Sequence, residues 1–179
     1  MRETAAAVVA FWRDAGPEQW FDKDPAFDAR FRERFLDTHF AAARGELDAW
    51  RTQPEGVLAL LLLLDQFPRN AFRGSAHMYA TDPLARRIAR DALAQGLDRA
   101  IEPELRLFCY LPFAHSEDLA DQERSVALMR ELGEEPLEHA EGHRAIVRRF
   151  GRFPHRNAML GRQSSAEETA FLADGGFSG

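Results

Sequence analysis

Cysteine occurs once in the chain, at Cys109, and lysine once, at Lys23. A single thiol excludes an intrachain disulfide scaffold and a cysteine-cluster zinc site. The longest apolar run, Gly56 to Leu64, is far shorter than the roughly 20 residues of a membrane-spanning helix. Basic charge is not in excess either. The formal net charge is −6, which argues against a general nucleic-acid footprint. The N-terminus, Met1-Arg2-Glu3-Thr4, carries an acid too early for a secretory signal. There is no phosphate loop ending in Gly-Lys-Ser/Thr, no Gly-x-Gly-x-x-Gly, no Gly-x-Ser-x-Gly elbow and no His-Glu-x-x-His. These absences lead to the expectation of a cytoplasmic protein with no cofactor, no nucleic-acid partner and no membrane partner. They leave its oligomeric state open.

What is present is apolar and aromatic. Hydrophobic residues make up 45% of the 179, with 14 Phe and 3 Trp, a composition incompatible with intrinsic disorder. The length predicts one domain over residues 1–179, with a loose tail from about Asp174. The basic residues are 22 Arg against one Lys. Codon usage accounts for such a skew, and so does a need for guanidinium forks that hold carboxylates in fixed geometry.

The pattern is helical throughout. Proline or a capping residue opens each segment and glycine closes most of them. Thr4 to Ala15 ends at Gly16-Pro17. Asp24-Pro25 opens a helix to about Arg44 whose Phe27, Phe31 and Phe35 form one stripe. Pro54 opens a helix apolar on every face, hence buried, which Pro68 is expected to stop. Further helices are expected from Thr81-Asp82-Pro83 to Gln95, from Pro103 to a break at Pro112, from Glu117 (capped by Ser116) to Leu132, and from Pro136 to Phe150. Ser165-Ala166-Glu167-Glu168 is a capping box for a last short helix. No convincing strand pair is found. The expected fold is all-α, with seven to eight helices in antiparallel hairpins, stacked as a small solenoid or closed into a bundle. Gln66-Phe67-Pro68-Arg69-Asn70-Ala71 is echoed by Arg152-Phe153-Pro154-His155-Arg156-Asn157-Ala158, through duplication or one helix-stop device used twice.

Three polar clusters fall at helix ends. The first is Asp65, Gln66, Arg69 and Asn70. The second is His115, Ser116, Glu117 and Asp118, continuing to Asp121 and Gln122. The third is Arg148, Arg152, His155, Arg156 and Asn157. Asp65 leaves an all-apolar helix, and Gln122 shares a stripe with Leu119, Val126 and Met129, so both face inward and need partners. Two accounts stand side by side. In one, Asp65, Glu117 or Asp118 pairs with Arg69, Arg152 or Arg156 to tie helix ends together. In the other, the same groups line a pocket where His115 or His155 exchanges protons with a carboxylate such as Asp65 or Glu117. His139 and His143 share a helical face at i, i+4, a spacing that permits metal binding, but no third ligand is identifiable. Cys109 lies in an apolar run and reads as a small buried hydrophobe.

Several stretches together resemble a known family: Phe11-Trp12; Trp20-Phe21 leading into Asp24-Pro25-Ala26-Phe27-Asp28; Leu64-Asp65-Gln66-Phe67-Pro68-Arg69-Asn70; Tyr110-Leu111-Pro112-Phe113-Ala114-His115-Ser116-Glu117-Asp118; and Arg149-Phe150-Gly151-Arg152-Phe153-Pro154-His155-Arg156-Asn157. The chain is similar along nearly its whole length to the bacterial family called domain of unknown function 924. Arg13 and Cys109 stand where that pattern leads one to expect an aromatic. The resemblance implies a tetratricopeptide-like α-α superhelix and no particular activity. The three hallmark segments are the three polar clusters, which by analogy favours a shared site.

The reading is therefore a module that binds a small polar or anionic molecule, or a peptide, in a polar pocket formed by Asp65, Gln66, Arg69, Asn70, His115, Glu117, Asp118, Gln122, Arg152, His155, Arg156 and Asn157. The alternatives are a cofactor-independent acid–base or hydrolytic enzyme and a purely structural or interaction protein. The three segments are expected to meet in space. One histidine pair and one cysteine complete neither a tetrahedral nor a facial-triad site, so purified protein should carry less than one zinc or iron per chain, as elemental analysis will show.

Overall fold

Helix starts and stops follow the punctuation of the sequence. The computed structural model describes residues 2–178, and among them helices and turns are found but no strand. Thr4 caps α1 (Ala5–Ala15) by accepting from the Ala7 N–H at 3.2 Å, and Gly16, at φ +76°, ends it. A four-residue turn of helix, α2 (Pro17–Trp20), follows. Asp24 caps α3 (Pro25–Ala43), accepting from the Ala26 N–H at 2.8 Å with Pro25 in the first turn. The buried helix α4 (Pro54–Leu61) runs without a break into one turn of π-helix, 62–66, and then α5 (Phe67–Ala71). After α6 (Asp82–Ala94) come α7 (Pro103–Ala114), α8 (Leu119–Met129), α9 (Glu134–Phe150) and α10 (Ala166–Ala173). Eight of these segments run eight residues or more among the described residues, in keeping with the seven to eight helices expected. None of the described helices is long and apolar enough to cross a membrane.

The chain groups into two compact units. The first comprises residues 1–73 and 77–112, the second 74–76 and 113–179. In the first, α4 packs against α1 and α6, and α3 against α5. Its core is aromatic. Phe11 sits with ring centroids 5.2–5.4 Å from Phe27, Phe31 and Phe35, while Trp12 stacks on Trp20, whose indole N–H donates to the Trp12 carbonyl at 2.7 Å. Gly56 is required where α4 crosses the preceding turn, because a Cβ there would overlap the Trp50 carbonyl. In the second unit α8 packs along α9, and α10 packs on the short turn Pro154–Arg156.

Two prolines do not act as expected. Pro68 does not stop the buried helix, and Pro112 lies inside α7. At Pro68 the reason is visible. Proline has no N–H, so it cannot donate to Leu64 O in an α-helix or to Leu63 O in a π-helix. The Phe67 N–H has moved to Leu62 O, the π pattern. The two deprived carbonyls take side-chain donors instead. His39 Nδ1 from α3 lies 2.8 Å from Leu63 O, and the Thr81 hydroxyl donates to Leu64 O at 2.5 Å. Thr81 therefore does not cap α6 with its side chain, as its position before Asp82 predicts. Ser116 likewise is not the cap of α8; Asp118 is, accepting from the Ala120 N–H at 2.8 Å.

A buried carbonyl stripped of its donor costs about 1–3 kcal/mol. Thr81→Val should lower unfolding free energy by about that amount. Adding Pro68→Ala to Thr81→Val should recover part of the loss by supplying the missing N–H. Urea unfolding of the wild type and of both variants checks this.

Candidate functional site

The first polar cluster is a clamp within the first unit. Asp65 is wholly buried and accepts from Gln66 Nε2 at 2.6 Å. Arg69 donates to the Asp65 carbonyl at 2.7 Å and lies 3.4 Å from its carboxylate. It also grips Asp82 with both terminal nitrogens, at 2.8 and 2.9 Å. Burial alone would weaken the Arg69 charge, but Asp65 and Asp82 outweigh it and raise its proton affinity. Asn70 reaches α3, donating to Asp28 at 2.7 Å, where Arg73 also binds. Asp65 with Arg69 is one of the pairings expected from sequence; the partner Asp82 was not foreseen.

The second and third clusters meet inside the second unit. Glu117 accepts from the Phe153 backbone N–H at 2.8 Å and from both terminal nitrogens of Arg162 at 2.7 and 2.9 Å. Burial pushes the Glu117 carboxyl up, but Arg162 outweighs it and holds the group below its usual range. Arg152 grips Glu168 at 2.6 and 2.8 Å, and Asn157 is bound by Arg162 Nε at 2.9 Å. Gln122 is fully buried and donates to the carbonyls of Ala114 and Ser116 at 2.8 and 2.6 Å. On α8 the inward stripe begins at Gln122, not at Leu119, which is 42% exposed. Glu117 thus pairs with Arg162, and Arg152 with Glu168, two partners not read from sequence; of those that were, Arg156 also acts on Glu117 and helps to lower its carboxyl. The convergence expected of all three segments is seen for these two; the Asp65 segment belongs to the first unit.

His143 in the second unit is of a different kind. His143, on the face of α9, has its Nδ1 fully buried with no hydrogen-bond partner. Its ring meets Phe153 at 5.5 Å and Phe177 at 4.8 Å, both perpendicular. His155 meets the same Phe177 ring at 5.1 Å and Phe153 at 5.7 Å. The Arg156 guanidinium lies 4.6 Å over Phe153. Burial first, and then the electrostatic influence of His115, His139, Arg156 and His155, together bring the proton affinity of His143 down to about 3. The ring is therefore neutral at neutral pH, with one nitrogen able to donate or accept one more hydrogen bond and the Arg156 guanidinium as the permanent charge acting on it. Among the described residues no group of three or more His, Cys, Asp or Glu is arranged to hold a metal ion. The sequence marked His143 through its i, i+4 relation to His139. It gave no signal for Phe177.

The architecture is all-α among the described residues, and comparison gives the chain a family. Residues 8–176 match the sequence profile of the bacterial protein of unknown function family DUF924, and the chain belongs to that family. It is also similar to the solved structure of a protein of unknown function from Agrobacterium tumefaciens, at 59% identity and a TM-score of 0.93, over 95% of this chain and 97% of that one. No curated protein gives a significant match.

His143 generates a pH dependence. The unfolded imidazole takes up a proton near pH 6.5, while the folded one resists until about 3. Between these values the unfolded state binds more protons, so stability is full above pH 6.5 and falls as the pH drops. The slope attributable to His143 is on the order of 1 kcal/mol per pH unit. Urea unfolding at pH 7, 6 and 5 should show this slope, and His143→Phe should flatten it.

Proposed function

We propose that this protein binds a small carboxylate-bearing molecule in the imidazole recess of its second unit, formed by His143, His155, Phe153 and Arg156, with His115 and His139 acting on His143 electrostatically. The observation that carries this reading is the buried Nδ1 of His143 with no partner. A buried polar nitrogen left unsatisfied costs about 1–3 kcal/mol, and a ligand oxygen at that atom removes the penalty. The Arg156 guanidinium, which lies over the neighbouring Phe153 ring, favours an anion. At His143 itself binding is favoured over proton transfer, because a ring held neutral down to a pH of about 3 is poorly matched to acid–base work at neutral pH; an acid–base role would fall to His115 or His155. We read the helix pairs as a tetratricopeptide-like superhelix that presents this recess. We also read the setting as cytoplasmic, on the single buried thiol and the acidic composition.

The test is titration of the 15N-labelled protein with acetate and with inorganic phosphate, watching the His143 ring nitrogens. Acetate should produce a saturable shift that His143→Phe abolishes while circular dichroism stays unchanged. No saturable shift of His143 with either anion at tens of millimolar would overturn the proposal.

A further inference from the structure

The recess already holds a group from the chain's own C-terminal segment. Phe177 stands perpendicular to both imidazoles, with centroids 4.8 Å from His143 and 5.1 Å from His155 at interplanar angles of 90° and 83°. Edge-to-face packing of this kind is directional and adds to simple area burial. The backbone that delivers the ring is built for the purpose. After α10, Gly175 adopts φ +82°, a conformation that side chains other than hydrogen rarely take. Gly176 then donates its N–H to the Phe171 carbonyl at 2.9 Å. A Cβ on Gly176 would lie 2.5 Å from that carbonyl oxygen and 2.6 Å from the Phe171 ring. The turn needs glycine at both positions, and it ends with Phe177 on the histidines. Yet Phe177 remains 43% exposed, so the ring is docked and not entombed.

We propose that Phe177 is an internal stand-in for the apolar part of the ligand, and that the ligand is an aryl-alkyl carboxylate whose ring takes the place of Phe177 while its carboxylate meets His143. This rests on the carboxylate reading above and narrows it to a substrate class. The two imidazoles and Phe153 offer an aromatic-lined slot, and the Phe177 ring occupies the slot without supplying any atom that can bond to His143 Nδ1. A ligand carrying both a ring and an anion satisfies the slot and the nitrogen together. The docked tail then acts as a competitor. With two edge-to-face contacts favouring the docked state, opening multiplies the apparent Kd of such a ligand by a factor of roughly 10. Acetate has no ring and does not compete for the place of Phe177.

The experiment compares acetate and 3-phenylpropionate on three full-length proteins: wild type, Phe177→Ala and Gly176→Ala. Affinities are read from the His143 ring nitrogens, and the Phe177 ring signals are followed where Phe177 is present. In the wild type, 3-phenylpropionate should release the Phe177 ring to solvent-like shifts, and acetate should not. Both variants should bind 3-phenylpropionate about 10-fold more tightly than the wild type, with acetate affinity changed less than about 2-fold. Gly176→Ala keeps the phenyl ring and disrupts only its delivery, so agreement between the two variants assigns the effect to docking. If acetate binds but 3-phenylpropionate gains nothing in either variant, the stand-in inference is overturned and the carboxylate reading survives. If neither acid moves His143 in any of the three proteins, both are overturned.

Discussion

A missing hydrogen-bond donor organises the first unit. Pro68 follows a helix that is buried on all sides, where a carbonyl without a donor has no water to turn to. The chain responds in two ways. It slips into a π turn so that Phe67 can serve Leu62, and it draws donors from two other helical segments, His39 on α3 and Thr81 at the start of α6. Arg69, one residue beyond the proline, completes the arrangement by joining Asp65 to Asp82. A backbone defect in one helix thus becomes the point at which three helical segments are fixed. His39 is well suited to this task. Burial holds its proton affinity down to about 4, so at neutral pH the ring is uncharged. Its Nδ1 carries the hydrogen donated to the carbonyl, and Nε2 faces His77 at 3.4 Å.

The second unit solves a related problem with charge. Its Phe153-Pro154 step echoes Phe67-Pro68, and in both the phenylalanine N–H leaves the ordinary α-helical ladder. Phe67 donates to a carbonyl five residues back, and Phe153 donates to the carboxylate of Glu117. Each phenylalanine is buried, and each is followed by a buried asparagine with a side-chain partner, Asp28 for Asn70 and Arg162 for Asn157. The arginine skew acquires a physical sense here. Asp82, Glu117 and Glu168 are each held by two nitrogens of one guanidinium, a geometry that a lysine ammonium cannot reproduce.

The helices were legible because proline, glycine and capping residues act over one turn, where sequence distance and spatial distance are nearly the same. Asp24 and Ser165 cap as read, and Thr4, read as the start of the first segment, caps it too. Pro68 misled because its usual effect was overruled by donors 29 residues before it and 13 after it, a relation that no local pattern encodes. The need for partners at Asp65, Glu117 and Gln122 was legible from their inward placement; which partners they take was not. An arginine reaches far enough that several candidates satisfy the same carboxylate; Arg162 was not singled out, and Glu168 was read only as part of a capping box. Phe177 was hidden for a different reason. A short Gly-Gly-Phe ending reads as loose chain until the Phe171 carbonyl, with which Gly176 bonds, is in place.

Function is most visible where this economy of hydrogen bonds breaks down. The hallmark carboxylates Asp65 and Glu117 have internal partners, as does the guanidinium of Arg152, and such pairs hold a fold together without requiring a ligand. Elsewhere among the described residues, Arg51 Nε, Trp12 Nε1, Gln122 Oε1 and Ser125 Oγ are also buried without a hydrogen-bond partner; Trp12 lies among aromatic rings, and Gln122 and Ser125 belong to the buried face of α8. His143 differs from these because its orphan nitrogen belongs to a ring packed against Phe177, which is delivered by a short glycine turn and remains partly exposed. A structural defect in a packed core has nowhere to go. The same defect beside a half-exposed ring has the form of an unfinished interaction, and that is why the proposed ligand is placed at His143 and not at Gln122 or Ser125.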